Sequence, residues 1–272
     1  MNTITKEISQ AIARLREAAP LVHNITNYVT VNDCANALLA IGASPIMADD
    51  LAESGEITAI SSALVLNIGT LNRHTVDSML AAGKRANECG VPVVFDPVGA
   101  GASKLRNDTV KTILEQVKIT ILRGNISEVS FVAGLDAATK GVDASAVDGR
   151  RDAVSVAGLA AERLGCTVAI TGAVDVISDG KRVVKIHNGH PMLSKVTGTG
   201  CMTSALAGAY AGANKDAFVA AAAGVASMGI AGEIAYEKAG HLGTGGFHIA
   251  VIDALSRLDS AVMEARGKLD EA

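Results

Sequence analysis

Four short segments of this 272-residue chain carry side chains whose types and spacing could do chemistry. The densest is Val196-Thr197-Gly198-Thr199-Gly200-Cys201-Met202, a Gly-Thr-Gly turn running straight into an alanine-rich stretch. Glycines allow positive φ and close backbone approach, and the first N–H groups of a helix, with its dipole behind them, form an anion site. A phosphate, or a phosphoryl group in transit, is the natural occupant; the plainer reading is a glycine turn capped by Thr199. Cys201 falls in the first turn of that helix, where a thiolate is favoured. A single cysteine on an alanine-rich helix is otherwise a small buried hydrophobe.

Asp96 closes the apolar run VPVVF and precedes Pro97 and the glycines of Val98-Gly99-Ala100-Gly101. A carboxylate there could hold Mg²⁺, which takes one or two carboxylates and keeps several waters, or it could simply form a turn. The Gly-Ala-Gly mimics the start of a dinucleotide fingerprint, but Lys104 stands where the third glycine belongs, and no GxxxxGK[ST] loop occurs. Arg123-Gly124-Asn125-Ile126-Ser127-Glu128 follows the run ITIL and opens a helix. Asn125 or Ser127 can cap that helix, with Glu128 well placed in its first turn. Capping suffices for stability; the functional use would be Glu128 on water-bridged Mg²⁺ and Arg123 on nucleotide phosphates.

The fourth segment, residues 23–32 (HNITNYVTVN), reads as a loop dense in hydrogen-bonding side chains, a possible ligand rim. Met47 ends a short strand after Gly42-Ala43-Ser44-Pro45, as core filler or as a pliable substrate wall. His187 and His190 have no third partner in view, so no metal is assigned to them.

These segments need a scaffold that brings them together. Apolar runs at residues 63–68, 91–95, 119–122 and 167–171 alternate with helix-period stretches at 75–89, 108–116 and 152–164, after a first helix at 5–18. Strands apolar on both faces with helical crossovers predict an α/β fold whose parallel sheet is covered on both sides. Residues 175–178 and 182–186 flank Asp179-Gly180 and read as an edge hairpin. Three helices follow, at 201–213, 217–238 and 247–265, and the polar stretch 136–151 reads as a surface excursion. One domain, residues 1–272, is expected. Ligands of such sheets bind beyond the carboxyl ends of the strands, where Asn67–Gly69, Asp96–Gly99, Arg123–Asn125 and Thr171-Gly172 stand.

Composition removes several classes. A net charge of −4, 3% aromatics and no Trp disfavour a nucleic-acid binder. The longest apolar run, residues 218–232, is shorter than the roughly 18–20 residues of a spanning helix and is built from Ala and Gly, so a buried helix is expected and no membrane. The N-terminal segment mixes charges without a secretory core, and the four cysteines are scattered, which fits a reducing cytoplasm.

Taken as an ordered set, VHNITNYVTVNDCANALLAIGASPIM, NIGTL, VVFDPVGAGAS, ILRGNISE and VTGTGCMTSA resemble the hydroxyethylthiazole kinase family, within the ribokinase-like superfamily. The resemblance runs over nearly the whole chain. It implies a three-layer sandwich with a mostly parallel central sheet, helices on both faces and no β-lid. It implies ATP- and Mg²⁺-dependent phosphorylation of the primary alcohol of 4-methyl-5-(2-hydroxyethyl)thiazole, a thiamine salvage step, by a homotrimer with active sites between subunits. Carried over by residue, Met47 and Gly198 would contact the thiazole, with Asn24 and Val29-Thr30 reaching across the interface. Arg123 and Thr171 would bind ATP, Asp96 and Glu128 would organise the metal, and Gly198, Thr199, Gly200 and Cys201 would form the anion hole. The superfamily commonly has Asp as base where this chain has Cys201. The competing expectations are a kinase for another small ring alcohol, of hydroxymethylpyrimidine or pyridoxal type, and a nucleotide-binding protein without turnover.

Overall fold

The computed structural model describes residues 3–135 and 152–271. Nine strands form one sheet: β1 (Leu21–Ile25), β2 (Ser44–Ile46), β3 (Ala63–Asn67), β4 (Val93–Asp96), β5 (Ile121–Gly124), β6 (Thr167–Ile170), β7 (Asp175–Ser178), β8 (Val183–Ile186) and β9 (Leu269–Glu271). Their order is β2-β1-β3-β4-β5-β6-β7-β8-β9. β1 to β6 run parallel and the last three strands add on antiparallel. Every described strand belongs to this sheet, and none forms a lid over it.

Successive side chains of a strand point to opposite faces, and each face here meets its own helical layer. Val22, Val65, Val94, Ile121 and Ala169 pack with α1 (Thr3–Ala18), α2 (Val31–Ile41), α8 (Thr199–Ala213), α9 (Ala217–Ala239), α10 (Thr244–Ser256) and α11 (Ser260–Arg266). Leu64, Leu66, Phe95, Leu122 and Val168 face α4 (Arg73–Cys89), α5 (Lys104–Gln116), α6 (Ile126–Val132) and α7 (Ala153–Leu164). A short helix, α3 (Ser54–Ile60), packs on α4. The three-layer sandwich is the arrangement the sequence predicts.

α8 and α9 approach closely because small residues let them. A Cβ on Gly224 would lie 2.7 Å from the backbone nitrogen of Ala207. α9 and the turn after it, Ala217–Leu242, are long and apolar enough to cross a membrane, but 83% of the most apolar window is buried by the other layers. The helix therefore extends beyond the apolar run seen in the sequence, and it forms part of the protein core.

Three features differ from expectation. Residues 21–25 form β1, not the start of a polar loop: His23 is buried with Nδ1 2.8 Å from Thr58 Oγ1 and Nε2 2.6 Å from Ala48 O, so its polarity is satisfied inside. The helix expected at 247–265 is two helices, because Asp259 adopts an extended conformation and its carboxylate accepts from Val262 N at 2.8 Å, capping α11. β9 was not foreseen; it pairs Leu269 with Ile186. The expected surface excursion at 136–151 lies outside the described residues.

The layer carrying α8 is stitched from both ends of the chain. Ile4 N donates to Glu271 Oε1 at 3.0 Å, Ser9 Oγ to Glu264 Oε1 at 2.7 Å, and Ser260 Oγ to Ser9 O at 2.6 Å.

Candidate active site

Strand periodicity builds the site. Asn67, Asp96 and Arg123 each follow by two residues a side chain packed on the α8 layer, namely Val65, Val94 and Ile121, so all three turn toward α8 at the carboxyl ends of adjacent strands. Asn67 and Asp96 are direct register partners. Thr171, just past β6, continues the row two residues after Ala169.

The row meets the start of α8. Gly198 precedes the helix at φ +88°, and a Cβ there would lie 2.8 Å from Thr30 Cγ2. Both the left-handed backbone and the contact with Thr30 therefore demand glycine. α4, α5 and α9 are capped by Asn72, Ser103 and Asp216, but no side chain caps α8. Thr199, which could have done so, donates its hydroxyl to Leu193 O at 3.1 Å instead. The opening amides of α8 therefore have no side-chain cap, as at α2, α3, α7 and α10, and they remain available to a ligand.

Arg123 crosses the front of this helix. Its Nη2 donates to Thr171 Oγ1 at 2.5 Å, and its Nη1 lies 3.5 Å from Asp96 Oδ2. Asp96 is fully buried. Its Oδ2 accepts from Ser204 Oγ at 2.7 Å and Asn67 Nδ2 at 2.9 Å, while Oδ1 has no partner among the described residues. Burial pushes the carboxyl up to about 6, opposed chiefly by the Arg123 charge and raised further by Glu128. A buried, partnerless carboxylate oxygen is what a cation would satisfy.

Glu128 stands in the first turn of α6, as the sequence predicts. It completes a capping box, with Oε2 accepting from Asn125 N at 2.8 Å, and its Oε1 accepts from Gly99 N at 2.8 Å. The second bond ties α6 to the loop after β4. Each oxygen retains a lone pair, so Asp96 and Glu128 fit a magnesium ion completed by water and phosphate. Among the described residues no cluster of three or more His, Cys, Asp or Glu side chains could hold a metal.

Cys201 is partly exposed in the first turn of α8, and its Sγ accepts from Asn27 Nδ2 at 3.2 Å and Asn67 Nδ2 at 3.3 Å. Asn67 is one of the strand exits and Asn27 lies in the polar segment 23–32, both marked by the sequence, whereas Ser204 was not singled out by it. Neither was Arg106, whose Nη1 donates to Ile68 O and Val98 O and whose Nη2 donates to Gly69 O, clamping the loops after β3 and β4. Asn24 lies inside β1, 2% exposed, donating to Val22 O. Met47 follows β2 and is half-buried against the α8-side core, which Cys201 also borders.

A cleft of about 550 Å³ opens beside the α8 N-terminus, lined among others by Arg123, Thr171, Asp175, Gly200, Val225 and Met228. Arg123 and Asp175 line it beside the α8 amides, and Val225 and Met228 line it along α9.

A mostly parallel sheet between two helical layers, with an uncapped helix start facing an acid pair and an arginine, defines a phosphoryl-transfer protein of ribokinase-like fold. A ribokinase-like superfamily protein from Enterococcus faecalis superposes with TM-score 0.60 at 10% identity, covering 94% of this chain and 83% of that one. The hydroxyethylthiazole kinase family model matches residues 12–261. The hydroxyethylthiazole kinase of Ruminiclostridium cellulolyticum is 63% identical over 272 residues, covering 100% of both chains. That of Pyrococcus horikoshii superposes with TM-score 0.88 at 42% identity, covering 97% of this chain and 98% of that one. The chain belongs to the hydroxyethylthiazole kinase family, and as a kinase it is a phosphotransferase.

Proposed function

We propose that this single-domain chain transfers the terminal phosphoryl group of ATP to the primary alcohol of 4-methyl-5-(2-hydroxyethyl)thiazole, giving the thiazole phosphate and ADP for thiamine salvage. The observation that carries this reading is the uncapped start of α8 facing Arg123 and the partnerless Oδ1 of Asp96.

In this reading Gly198, Thr199, Gly200 and Cys201 form the anion hole, and Arg123 and Thr171 bind the nucleotide phosphates. Met47, Gly198 and Asn24 contact the thiazole, with Val29-Thr30 nearby. Asp96 and Glu128 hold Mg²⁺, which when bound would neutralise charge on the phosphates. The alcohol oxygen attacks phosphorus as the bond to the ADP oxygen breaks. Charge spreads over the equatorial phosphoryl oxygens in a loose transition state, so the alcohol proton leaves late. Cys201 positions the hydroxyl and, as the thiolate, receives that proton to become the thiol, while alignment and the amide dipoles supply most of the acceleration. The working form is a cytoplasmic homotrimer with sites between subunits, a reading supported by exposed Tyr28 and Val29 beside the site and Leu39 and Ile249 on α2 and α10.

The deciding assay is ADP release with Mg²⁺, with and without the thiazole alcohol, alongside a hydroxymethylpyrimidine and pyridoxal. The thiazole alcohol should stimulate release most. No stimulation by any alcohol would leave a nucleotide-binding protein without turnover, and a stronger response to another alcohol would reassign the substrate.

A further inference from the structure

Asn67 is 2% exposed, and every polar group of its side chain is engaged. Its Oδ1 accepts from Asn27 Nδ2 at 3.0 Å and from Gly69 N at 2.9 Å. Its Nδ2 donates to Asp96 Oδ2 at 2.9 Å and to Cys201 Sγ at 3.3 Å. A backbone N–H can only donate, so the atom facing Gly69 N must be the oxygen, and the amino group must face the carboxylate and the sulfur. Asn27 is fixed through it: Asn67 Oδ1 can only accept, so the atom of Asn27 facing it at 3.0 Å is Nδ2, which also reaches Cys201 Sγ at 3.2 Å, while Thr30 Oγ1 donates to Asn27 Oδ1 at 3.1 Å.

Two consequences follow from one amide. Asn67 and Ser204 together occupy Oδ2 of Asp96, so Oδ1 is the oxygen left over. Asn67 and Asn27 together hold the sulfur of Cys201 as an acceptor between two N–H donors. Register makes the first link rigid, since Asn67 and Asp96 are neighbouring partners on β3 and β4. Without Asn67 the carboxylate could turn either oxygen outward, and the sulfur would keep a single donor.

We infer that Asn67 is a positioning residue for phosphoryl transfer, its one amino group setting both the metal-facing oxygen of Asp96 and the orientation of the Cys201 thiol, with Asn27 as the second guide of the sulfur. The inference rests on the kinase reading above, in which Asp96 and Cys201 flank the transferred group. It goes further by assigning to a residue outside both roles the alignment of one with the other. A misplacement of about 1 Å at such a site costs on the order of a hundredfold in rate.

The test combines steady-state kinetics with a binding measurement that needs no turnover. Asn67→Ala, Asn27→Ala and Ser204→Ala are each made with Cys201 present and with Cys201→Ala. Mn²⁺ binding to the protein with ADP is followed by electron paramagnetic resonance. Asn27→Ala should lower kcat by no more than Cys201→Ala does, and by less than about twofold once Cys201 is gone, because coupled residues are not additive. Its Mn²⁺ affinity should be unchanged. Ser204→Ala should weaken Mn²⁺ binding and cost the same with or without Cys201. Asn67→Ala should do both: kcat falls about ten- to a hundredfold, Mn²⁺ binding weakens, and KM for either substrate moves less than about threefold.

If Asn67→Ala fails to fold, Asn27→Ala still tests the sulfur branch and Ser204→Ala the carboxylate branch. Equal losses for Asn27→Ala in both backgrounds would overturn the first. Unchanged Mn²⁺ affinity in Ser204→Ala and in any folded Asn67→Ala would overturn the second. An unmodified protein that shows no alcohol-dependent ADP release would instead defeat the underlying kinase reading.

Discussion

The guanidinium of Arg123 rests on the backbone of Gly200: a Cβ at position 200 would lie 2.8 Å from Nη1 and 3.1 Å from Nη2. The same guanidinium donates to Thr171 at 2.5 Å and is only 13% exposed, so the second residue of α8 is glycine because an arginine must pass across it. Cation and helix amides are thereby brought to one point, where either alone would hold a phosphate less firmly.

Gly200→Ala separates binding from stability. Alanine favours a helix by about 1 kcal/mol over glycine, and the atoms it meets are the end of a flexible side chain, so the melting temperature should change little. Displacing Arg123 should raise KM for ATP by about tenfold, corresponding to ~1.4 kcal/mol of lost binding. An ATP titration beside a thermal melt checks both, and an unaltered KM for ATP would show that Arg123 does not contact the nucleotide.

Cys201 offers a graded test of its part in the reaction. With a loose transition state, Cys201→Ala should reduce kcat well short of the ~10⁴-fold upper range of acid–base catalysis. Cys201→Asp should remain active, since a carboxylate can accept from the Asn27 and Asn67 amides that now serve the sulfur. Single-turnover rates on folded variants decide it: a near-complete loss in Cys201→Ala would make the thiol an early and essential base.

Asp175, at the mouth of the cleft, links stability to pH. Burial pushes its carboxyl up to about 6 against an ordinary 3.8, although Gly172 N donates to Oδ1 at 2.8 Å. The folded state therefore holds this proton more tightly than the unfolded one, and folding loses stability as pH rises from about 4 to about 6, by a few kcal/mol at most. His23 works in the opposite sense, because burial lowers its pKa and acid then favours unfolding. A comparison isolates the aspartate: Asp175→Asn should gain stability over the parent at pH 7 and lose that advantage near pH 4 in urea unfolding series. A constant difference across that range would remove Asp175 as the source.

Much of this arrangement can be read from strand alternation. Once the apolar runs are taken as strands, counting two residues past Val65, Val94 and Ile121 turns Asn67, Asp96 and Arg123 toward one layer. The glycine turn before α8 is legible in the same way, and the ordered motifs point to the family. Other features are set by contacts that no local pattern encodes. The polar residues of β1 disguise it as a loop, because His23 finds its partners on α3 and after β2. Asn27 and Ser204 reach Cys201 and Asp96 across 174 and 108 residues of chain. The break between α10 and α11 follows from the extended Asp259 cap, whereas the apolar period runs through it unbroken. Asn67 is legible as a strand exit, and the β3–β4 register adds that it is the neighbour of Asp96.

The bonds joining residues 4 and 9 to residues 260, 264 and 271 have a bearing on biosynthesis. While the chain is still emerging from a ribosome, the α1 face carrying Ile4, Ile8 and Ile12 waits for α8, α9 and α11, which cover it in the folded layer. The opposite layer, α3 to α7, is drawn from contiguous sequence and can assemble earlier. A nascent polypeptide of this kind exposes a sticky amphipathic segment until α8 and α9 have been made, so its yield in cells should depend on holdase chaperones more than the stability of the folded enzyme alone would suggest.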